Sequence, residues 1–490
     1  MRRLMILLVA GLAFAIAMLA GGAGAMAAEP GVPSAAPMNP EFVQYLERVA
    51  AGATVEMTED GHGLGAIPGP IDLSHNAGQE VMSGQPRQPA GAPATYDLRL
   101  VLGKLPPVRD QLQCGSCWAF ATYGSLESYL LPGETWDFSE MDLICVHGFD
   151  YAQCFGGQHW MSTAYLGRWN GPVTELCYPY ATIPPYNCTI PRPFCAVQKH
   201  IQEVDFVPDR ADATIKNDVM NYGAVYTTMY FDNQYYNPAT WAYYYNGSYP
   251  LNHAVCIVGW DDNYLATNFK IPNPPGNGAF IIRNSWGAGW GQAGYFYVSY
   301  FDGRIGRDNA MFRNAEATTN YLTKYDYDPL GWVSSVGYGA TTAWGANIFT
   351  AVANEDLVAV TTYADSVNTT YDVYVYLNAN AGPTSGALAA GFPQTGTFAS
   401  PGYQRIVLSP SAALTNGQKF SIVLKLTTPG YNWPVPYEYP LGGYSSAATA
   451  NAGESYISPD GINWQDITTW TANANVCIKG FTGEPTGGGA

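Results

Sequence analysis

The sequence predicts an α+β domain followed by an antiparallel β-sandwich domain. A helix beginning near Cys117 is indicated by apolar side chains at helical spacing, namely Ala119, Tyr123, Leu126 and Leu130. Two later runs, 251–259 and 280–287, have the apolar and β-branched composition of buried strands. After residue 320, short segments alternate apolar and polar side chains between turn signals, which is typical of a sandwich. At 490 residues the chain is long enough for two cores.

The N-terminus has the pattern of an export signal. Arg2 and Arg3 precede an apolar run from Leu4 to Leu19, and small residues follow at Ala25-Met26-Ala27. We expect residues 1–27 to be removed and the protein to act outside the cell or at its surface. A membrane anchor is the alternative, but no other segment approaches the roughly 18 apolar residues that a span needs. No membrane span is expected after the signal is removed.

The charge of the chain excludes two classes of partner. The formal charge is −17, and loss of residues 1–27, which hold two Arg and no acid, takes it to −19. Nucleic acid and anionic membrane surfaces both require basic patches. The sequence therefore predicts protein or peptide partners and no nucleic acid.

The stretch Gln111–Phe120 carries the first candidate for chemistry, Cys117. A cysteine on the first turn of a helix lies near unpaired backbone N–H groups and the positive end of the helix dipole, which stabilise a thiolate. A thiolate attacks carbonyl carbons. For an exported chain the ordinary alternative is a buried or disulfide-bonded cysteine.

These ten residues resemble the active-site signature of the papain-like cysteine peptidases, Cys-Gly-Ser/Ala-Cys-Trp/Tyr. The resemblance extends from Tyr96 to about Phe312. It implies a two-lobed peptidase domain over residues 93–315, with a helical lobe and a β lobe, of the secreted prokaryotic type. It also implies that Cys117 is the nucleophile.

Two further motifs match the family. His253 stands at the entry of an apolar strand-like run and lies 136 residues after Cys117, within the family spacing of roughly 130 to 150. A second strand-like run ends in Asn284 and Trp286, which match the family's Asn-Ser-Trp-Gly. The resemblance implies that His253 is the base, that Asn284 orients its ring and that Trp286 shields that hydrogen bond. Alone, a histidine near a strand or an asparagine in a turn is more often structural.

The resemblance also assigns groups around the reacting bond. Gln111 lies six residues before Cys117, where the family places a donor to the oxyanion; a turn glutamine is the alternative. Gly156 and Gly157 resemble a cleft wall whose bare backbone binds an extended peptide. Leu251 and Trp286 complete the expected substrate contacts, Leu251 in a pocket for an apolar or aromatic side chain.

Nine cysteines in an exported chain predict disulfides with one thiol left over. The resemblance pairs Cys114 with Cys154 and Cys145 with Cys188, and the neighbours Cys177 and Cys195 can form a third bridge, although connectivity does not follow from sequence. Cys256 and Cys477 lie in apolar runs and are expected to be buried, which leaves Cys117 as a free thiol in an exposed setting. No metal-ligand spacing such as CxxC…CxxC or HExxH appears, so neither metal nor cofactor is expected.

Residues 28–92 are rich in Ala, Gly and Pro and are expected to form a propeptide without a core of its own. A short amphipathic helix is predicted from an Asn39 cap through Phe42, Leu46 and Val49. The Gly/Pro-punctuated stretch 61–73 should lie extended, and in a papain-like precursor it would lie in the cleft. Maturation is expected between about residues 89 and 94. A disordered leader with no inhibitory role is the alternative.

The C-terminal region is expected to be a β-sandwich over 318–482, after a linker at 313–320 and before a flexible tail at 483–490. Phe420, Ile422, Leu424 and Leu426 alternate toward one face. The stretches 327–332 and 344–349 resemble the lectin-like domain of some prokaryotic papain-family peptidases, which implies a glycan or surface polymer as a further partner. We expect an independent core and no disulfide to the first domain.

Two classes of function remain. The first is a secreted, monomeric cysteine endopeptidase with a β accessory domain. The second is a catalytically inert papain-like binding protein or adhesin that binds glycans through the β domain. The presence of Cys117, His253, Asn284 and Gln111 together favours the first.

Overall fold

The computed structural model describes residues 31–81, 91–180, 188 and 194–485. The predicted signal 1–27 and the end of the predicted tail, 486–490, lie outside the described residues, as do residues 89 and 90 of the expected maturation region. Among the described residues, no helix combines the length and apolar character needed to cross a membrane.

The N-terminal segment forms one helix and three short strands: α1 (Pro40–Ala50), β1 (Ser34–Ala35), β2 (Glu56–Met57) and β3 (Gly63–Leu64). Asn39 caps α1 as predicted, because its side chain accepts a hydrogen bond from the Glu41 N–H at 3.0 Å. The segment contributes side chains to a core formed mainly by other parts of the chain. Phe42 and Ile67 are buried in the main hydrophobic cluster, because the segment packs across both domains rather than on itself.

The helical part of the first domain consists of α2 (Cys117–Leu130), α3 (Glu140–Val146) and α4 (His159–Gly167). Helix α2 is buried on nearly every side, since it lies between the other helices and the sheet. Glu127 within it is fully buried and pairs with Arg109 at 2.9 Å. Burial raises the pKa of Glu127 to about 7, while Arg109 opposes that shift.

The β part of the first domain holds helix α5 (Asp212–Asn221) and the strands that carry the later motifs. These strands are β4 (Thr95–Asp97), β5 (His200–Val207), β6 (Val225–Met229), β7 (Tyr236–Asn237), β8 (Ala242–Tyr243), β9 (His253–Asp261), β10 (Ala279–Arg283), β11 (Tyr295–Ser299) and β12 (Arg307–Glu316). Strand β9 pairs antiparallel with β10, with Cys256 opposite Arg283. This register brings the start of β9 close to the end of β10.

The C-terminal domain is composed of β-strands and short turns. Its strands are β13 (Lys324–Tyr325), β14 (Ser334–Gly337), β15 (Thr342–Thr350), β16 (Glu355–Ala364), β17 (Thr369–Leu377), β18 (Ala387–Leu388), β19 (Gln394–Phe398), β20 (Gly402–Leu414), β21 (Lys419–Thr427), β22 (Val435–Glu438), β23 (Ser455–Ser458), β24 (Gln465–Asp466), β25 (Asn475–Val476) and β26 (Lys479–Gly483). One sheet has the order β18-β17-β21-β15-β23-β24, and a smaller one has the order β1-β14-β22-β25. The alternating residues of β21, from Phe420 to Leu426, lie in its core as predicted. The predicted fold class, α+β followed by a β-sandwich, is confirmed.

The C-terminal domain has a hydrophobic cluster of its own, but it also shares one sheet and some of its buried residues with the first domain. Strand β20 pairs antiparallel with β5, with Gly402 opposite Asp205 and Tyr403 opposite Val204. Trp332 of the C-terminal domain is buried in the same hydrophobic cluster as the first domain. Nothing local in the sequence marks this pairing, because the two strands are about 200 residues apart.

The predicted linker at 313–320 begins too early. Residues up to Glu316 belong to β12, where Ala315 pairs with Ile201 and Glu316 with His200. Polar side chains there form ion pairs on a paired strand, as Arg405 does with Glu316 at 2.6 Å. Polar composition alone therefore placed the start of the linker four residues too soon.

Candidate active site

Cys117 is the first residue of α2, so its sulfur lies at the positive end of the helix dipole. The backbone N–H of Ala254, which follows His253, donates to the Cys117 Sγ at 3.4 Å. The sulfur is thus held beside the strand that carries the imidazole. The expectation of an exposed thiol is wrong, since Cys117 is 0% exposed. The groups that bury it belong in part to the N-terminal segment.

His253 is oriented by the asparagine that the sequence indicated. The Nε2 atom of His253 lies 2.8 Å from the Asn284 Oδ1. That oxygen also accepts from the Ser285 N–H at 2.8 Å, which fixes the amide so that Nε2 is the protonated nitrogen. Among the described residues Nδ1 has no hydrogen-bond partner. Trp286 stacks on the imidazole at 4.7 Å between ring centroids and excludes water from the His253–Asn284 bond.

Gln111 is held rigidly at the floor of the site. Its Nε2 donates to the carbonyl oxygens of Gly63 and Cys114, each at 2.8 Å. Its Oε1 accepts from the Ser285 hydroxyl at 2.6 Å. The sequence analysis did not single out Ser285, although it is the serine of the Asn-Ser-Trp-Gly motif. Its hydroxyl sets which way the Gln111 amide points.

The stretch 61–73, here called the covering segment, lies extended across the site. The Gly157 N–H donates to the Gly65 carbonyl at 2.9 Å, and the Ile67 N–H donates to the Gly157 carbonyl at 3.1 Å. Ala66 and Gly157 form a parallel bridge, so the bare backbone of Gly157 binds an extended stretch of the chain itself. A Cβ on Gly157 would come within 2.3 Å of Trp118, which explains the glycine.

The covering segment also touches the thiol and the oxyanion side of the site. A Cβ on Gly65 would come within 1.9 Å of the Gly115 carbonyl oxygen, so the two backbones are in direct contact. His62 stacks on the outer face of Trp286, with 4.9 Å between ring centroids and nearly parallel planes. The sequence marked this stretch as extended, and its glycines are what allow the close approach.

Burial changes the electrostatics of the catalytic pair. Desolvation raises the pKa of Cys117 to about 11. Backbone hydrogen bonds from Ala254 and Gly65 lower this pKa, but their effect is smaller. Desolvation lowers the pKa of His253 to about 4; Asn284 opposes this shift and the nearby His62 adds to it. At neutral pH the thiol is therefore protonated and the imidazole is neutral while the covering segment is in place.

The remaining predicted contacts line the same cleft. Gly156 has a φ of +105°, and its Cα faces the Gly65 carbonyl oxygen, which a Cβ would approach to 2.8 Å. Leu251 lines a cavity of about 360 Å³ between the covering segment and the β lobe. The sequence analysis missed a polar pair in that cavity, His159 and Asp308, whose side chains lie 3.0 Å apart.

Three disulfides brace the helical lobe: Cys114–Cys154, Cys145–Cys188 and Cys177–Cys195. The first joins the loop before Cys117 to the glycine wall of the cleft, so the two sides of the site are covalently tied. Among the described residues the free cysteines are Cys117, Cys256 and Cys477, and all three are buried.

The thiol lies at a helix terminus next to an imidazole that an asparagine orients, and both stand on a two-lobed α+β domain. This combination of site and fold is that of a cysteine peptidase. The chain belongs to the papain family. The family model described as "Papain family cysteine protease" matches residues 92–312, and a second, described as "Lectin like domain", matches residues 324–482.

Sequence relatives match the peptidase domain. Cysteine proteinase 3 of Entamoeba histolytica is 30% identical over 233 residues, covering 44% of this chain and 67% of that protein. Digestive cysteine proteinase 2 of Homarus americanus is 29% identical over 231 residues, covering 44% of this chain and 64% of that protein. The chain thus spans about two thirds of the length of these curated relatives.

A solved structure matches both domains. The cysteine protease and lectin-like domains of Cwp84, a surface layer associated protein of Clostridium difficile, are 27% identical to this chain with a TM-score of 0.76. The match covers 92% of this chain and 98% of that one. The clostridial Cwp84 after propeptide cleavage is 28% identical with a TM-score of 0.69, covering 80% of this chain and 99% of that one.

Proposed function

We propose that this chain is the precursor of a secreted cysteine endopeptidase that hydrolyses peptide bonds with Cys117 and His253. The observation that carries the proposal is that an extended stretch of the chain's own backbone already occupies the cleft, hydrogen-bonded to Gly157 and to the Gln111 amide. A groove that binds one polypeptide backbone through bare backbone groups suits other polypeptides as substrates.

In the proposed mechanism, a Cys117 thiolate paired with a His253 imidazolium attacks the carbonyl carbon of the scissile bond. The carbonyl oxygen becomes an anion, which the Gln111 amide and the Cys117 backbone N–H stabilise; each such donor contributes about 2.7 to 4 kcal/mol. The imidazolium gives its proton to the leaving amine. Water, deprotonated by the neutral imidazole, then hydrolyses the thioester. Asn284 keeps the ring in the orientation that both steps need.

Residues 28–92 act in this proposal as an inhibitory propeptide. The covering segment occupies the Gln111 donor, buries the thiol and moves both pKa values away from the ion pair. Cleavage between about residues 89 and 94 would free it, and re-solvation would bring the pKa values of Cys117 and His253 back toward each other. The mature enzyme would then comprise the peptidase domain, 93–315, and the lectin-like domain, 318–482.

The second candidate is an inert papain-like binding protein. The geometry favours the peptidase, since Asn284 orients His253, the Ala254 N–H contacts the Cys117 sulfur and the Ser285 hydroxyl orients Gln111. The lectin-like domain would hold the enzyme on a glycan or surface polymer outside the cell and so raise the local substrate concentration.

The test of the proposed function is to incubate the processed protein with a peptide library and map the products by mass spectrometry. Wild type should cleave internal peptide bonds, whereas Cys117→Ala and His253→Ala should not. Cleavage by Cys117→Ala at the wild-type rate would overturn the mechanism, and no cleavage by the processed wild type would favour the inert binding protein.

A further inference from the structure

The propeptide runs from the cleft onto the lectin-like domain as one continuous stretch. The Gly65 carbonyl is bonded to Gly157 of the cleft wall, and Asn76, eleven residues further along, is bonded to the lectin-like domain. Between these two contacts Gly69 lies against Trp160, since a Cβ on it would come within 2.2 Å of the indole nitrogen. The backbone of this stretch therefore connects the candidate active site with a contact in the second domain.

The groove under this stretch is lined by both domains. Its walls include Trp160 and Phe206 of the first domain and Pro401 of the lectin-like domain, and it contains the cavity of about 360 Å³ that Leu251 also lines. Removal of residues 28–92 would open this groove along its length. The cleft would then be continuous with a surface of the lectin-like domain.

The far end of the stretch is held by a slot for one side-chain amide. Asn76 is 1% exposed. Its Nδ2 donates to the Asp365 carbonyl at 2.9 Å, and its Oδ1 accepts from the Val367 N–H at 3.0 Å. A primary amide presents an N–H and a carbonyl oxygen side by side, so it satisfies both backbone groups at once. A carboxylate lacks the donor and an aliphatic side chain lacks both groups.

An aromatic side chain lies next to the amide slot. The His75 ring stacks on Tyr431, with centroids 4.4 Å apart and planes 10° from parallel. Its Nε2 lies 2.9 Å from the Ser366 hydroxyl. The lectin-like domain thus binds two successive side chains of the propeptide, one as an amide and one as a flat ring.

The catalytic groups determine the direction in which a substrate would follow this path. His62, at the start of the covering segment, stacks on Trp286, which in turn stacks on His253. In the proposed mechanism His253 protonates the leaving amine, so substrate residues after the scissile bond lie on this side of the cleft. Residues before the scissile bond therefore lie along Gly157 and, further out, toward the position of Asn76. A substrate would follow the path of the propeptide in the opposite direction.

We propose that the Asp365–Val367 turn and Tyr431 form an exosite, a binding site away from the reacting bond, for the substrate polypeptide. Its ligand is an asparagine side chain followed by an aromatic or histidine residue, upstream of the scissile bond. Asn76 lies thirteen residues after Gly63, whose carbonyl occupies the Gln111 donor, so the asparagine stands at about that distance before the scissile bond. The inference rests on the proposed peptidase function and on removal of the propeptide.

The test measures peptide binding in the processed Cys117→Ala protein, from which residues 28–92 have been cut and removed. The probes are fluorescein-labelled peptides with a constant Ala-Leu-Gly-Ala core for the cleft. They carry Asn-Phe, Asp-Phe or Ala-Ala about ten to fifteen residues upstream of that core, a range that covers straight and bent backbone paths. Fluorescence anisotropy gives the Kd of each peptide, and hydrolysis of the same peptides by the processed wild type is followed separately.

At one of these spacings the Asn-Phe peptide should bind at least about tenfold more tightly than the other two, because each replacement leaves a buried backbone group unpaired. Moving the Asn-Phe pair downstream of the core should remove this gain. Tyr431→Ala should lower the affinity for the Asn-Phe peptide to that for the Ala-Ala peptide. The comparison of peptides needs no exosite variant, so it remains decisive should Tyr431→Ala unfold.

Equal affinities for the three peptides at every spacing would overturn the proposal. Tight binding of a synthetic 61–80 peptide without any preference among the three would also overturn it, because the site would then be dedicated to the propeptide. The hydrolysis assay reports on the peptidase alone. Cleavage of all three peptides with equal Kd values would contradict only the exosite, whereas selective binding without cleavage by the wild type would contradict only the peptidase.

Discussion

The side-chain amide of Gln111 donates a hydrogen bond to the carbonyl oxygen of Gly63 across 2.8 Å. The group proposed to stabilise the oxyanion is thus occupied by the protein's own propeptide. The same glutamine is oriented by the Ser285 hydroxyl at 2.6 Å, so the donor is already aimed when the segment leaves. Inhibition and pre-organisation of the site involve the same side chain.

Enlarging Gly65 should break the latency of the precursor. A Cβ there would lie 1.9 Å from the Gly115 carbonyl oxygen and 2.2 Å from its carbon. Because both atoms belong to backbone, neither segment can move aside without a cost in free energy. In Gly65→Ala we expect the covering segment to lift, and alkylation of Cys117 by iodoacetamide in the uncut protein to rise about tenfold or more. The matched control is Gly52→Asn, since Gly52 has a φ of +90° that asparagine tolerates and no atom within 4 Å of a Cβ. Equal labelling of the two variants would mean that the close contact does not hold the segment down.

Loss of the Gln111 amide should lower kcat more than it raises KM. Gln111→Ala in the processed enzyme should reduce kcat by about 10² to 10³, because the amide acts on the charge that develops in the transition state. Ser285→Ala should have a smaller effect in the same direction, since it frees the amide to rotate without removing it. The pH profile should be unchanged in both variants. An unaltered kcat in Gln111→Ala would remove this residue from the oxyanion site.

The protection of Cys117 in the precursor should depend on pH in two directions. With the segment in place, burial lowers the pKa of His253 to about 4 from an ordinary 6.5. The open form therefore binds more protons at the imidazole, and acid below about pH 6.5 favours opening. Burial raises the pKa of Cys117 to about 11 from an ordinary 9.0, so the covered form binds more protons at the thiol and alkali above about pH 9 also favours opening.

The measurement is alkylation of Cys117 in the His62→Gln and wild-type precursors, corrected at each pH for the rate of a small thiol. We expect the slowest labelling between about pH 6.5 and 9 and an increase on both sides. His62→Gln should weaken the increase on the acid side, because the charge on His62 helps to lower the pKa of His253. A corrected rate that is flat across this range would show that the segment does not act through burial of these two groups.

The sheet shared by the two domains should make their unfolding cooperative. Gly402 has a φ of +114°, and a Cβ on it would lie 2.2 Å from the Val204 carbonyl oxygen in the neighbouring domain. Gly402→Ala should lower Tm by several degrees, as about 1 to 3 kcal/mol is lost at the junction. Gly417→Ala is the matched control, with a φ of +79° and no atom within 4 Å of the Cβ. Two separate calorimetric transitions in the wild type would contradict coupling of the two domains through this sheet.

The sequence alone was sufficient to predict the candidate site residues that lie within short motifs. Cys117 and Gln111 stand in one decapeptide, and Asn284 directly follows β10, which pairs with the strand that begins at His253. Helix α1 was also predictable, since an asparagine cap and an apolar stripe are local signals. These features depend on residues that are close in the chain or on a spacing that the family resemblance supplies.

Contacts between distant segments could not be predicted. The burial of Cys117 depends on Gly65, some fifty residues earlier, and the docking of Asn76 on Val367 joins positions almost three hundred residues apart. Neither contact has a local signature, because each needs only backbone groups or a small polar side chain. The same holds for Gly402 against Val204, where the only visible trace is a glycine in a strand.

The most direct test of the central claim compares peptide hydrolysis before and after removal of residues 28–92. A fluorogenic peptide is incubated with uncut precursor and with processed protein, each as wild type and as Cys117→Ala, while a gel follows cleavage. We predict that only the processed wild type hydrolyses the substrate. The uncut wild type should show no hydrolysis until a shorter band appears on the gel. Equal turnover by the uncut and processed wild type, or any wild-type rate in Cys117→Ala, would contradict the account of a latent thiol enzyme.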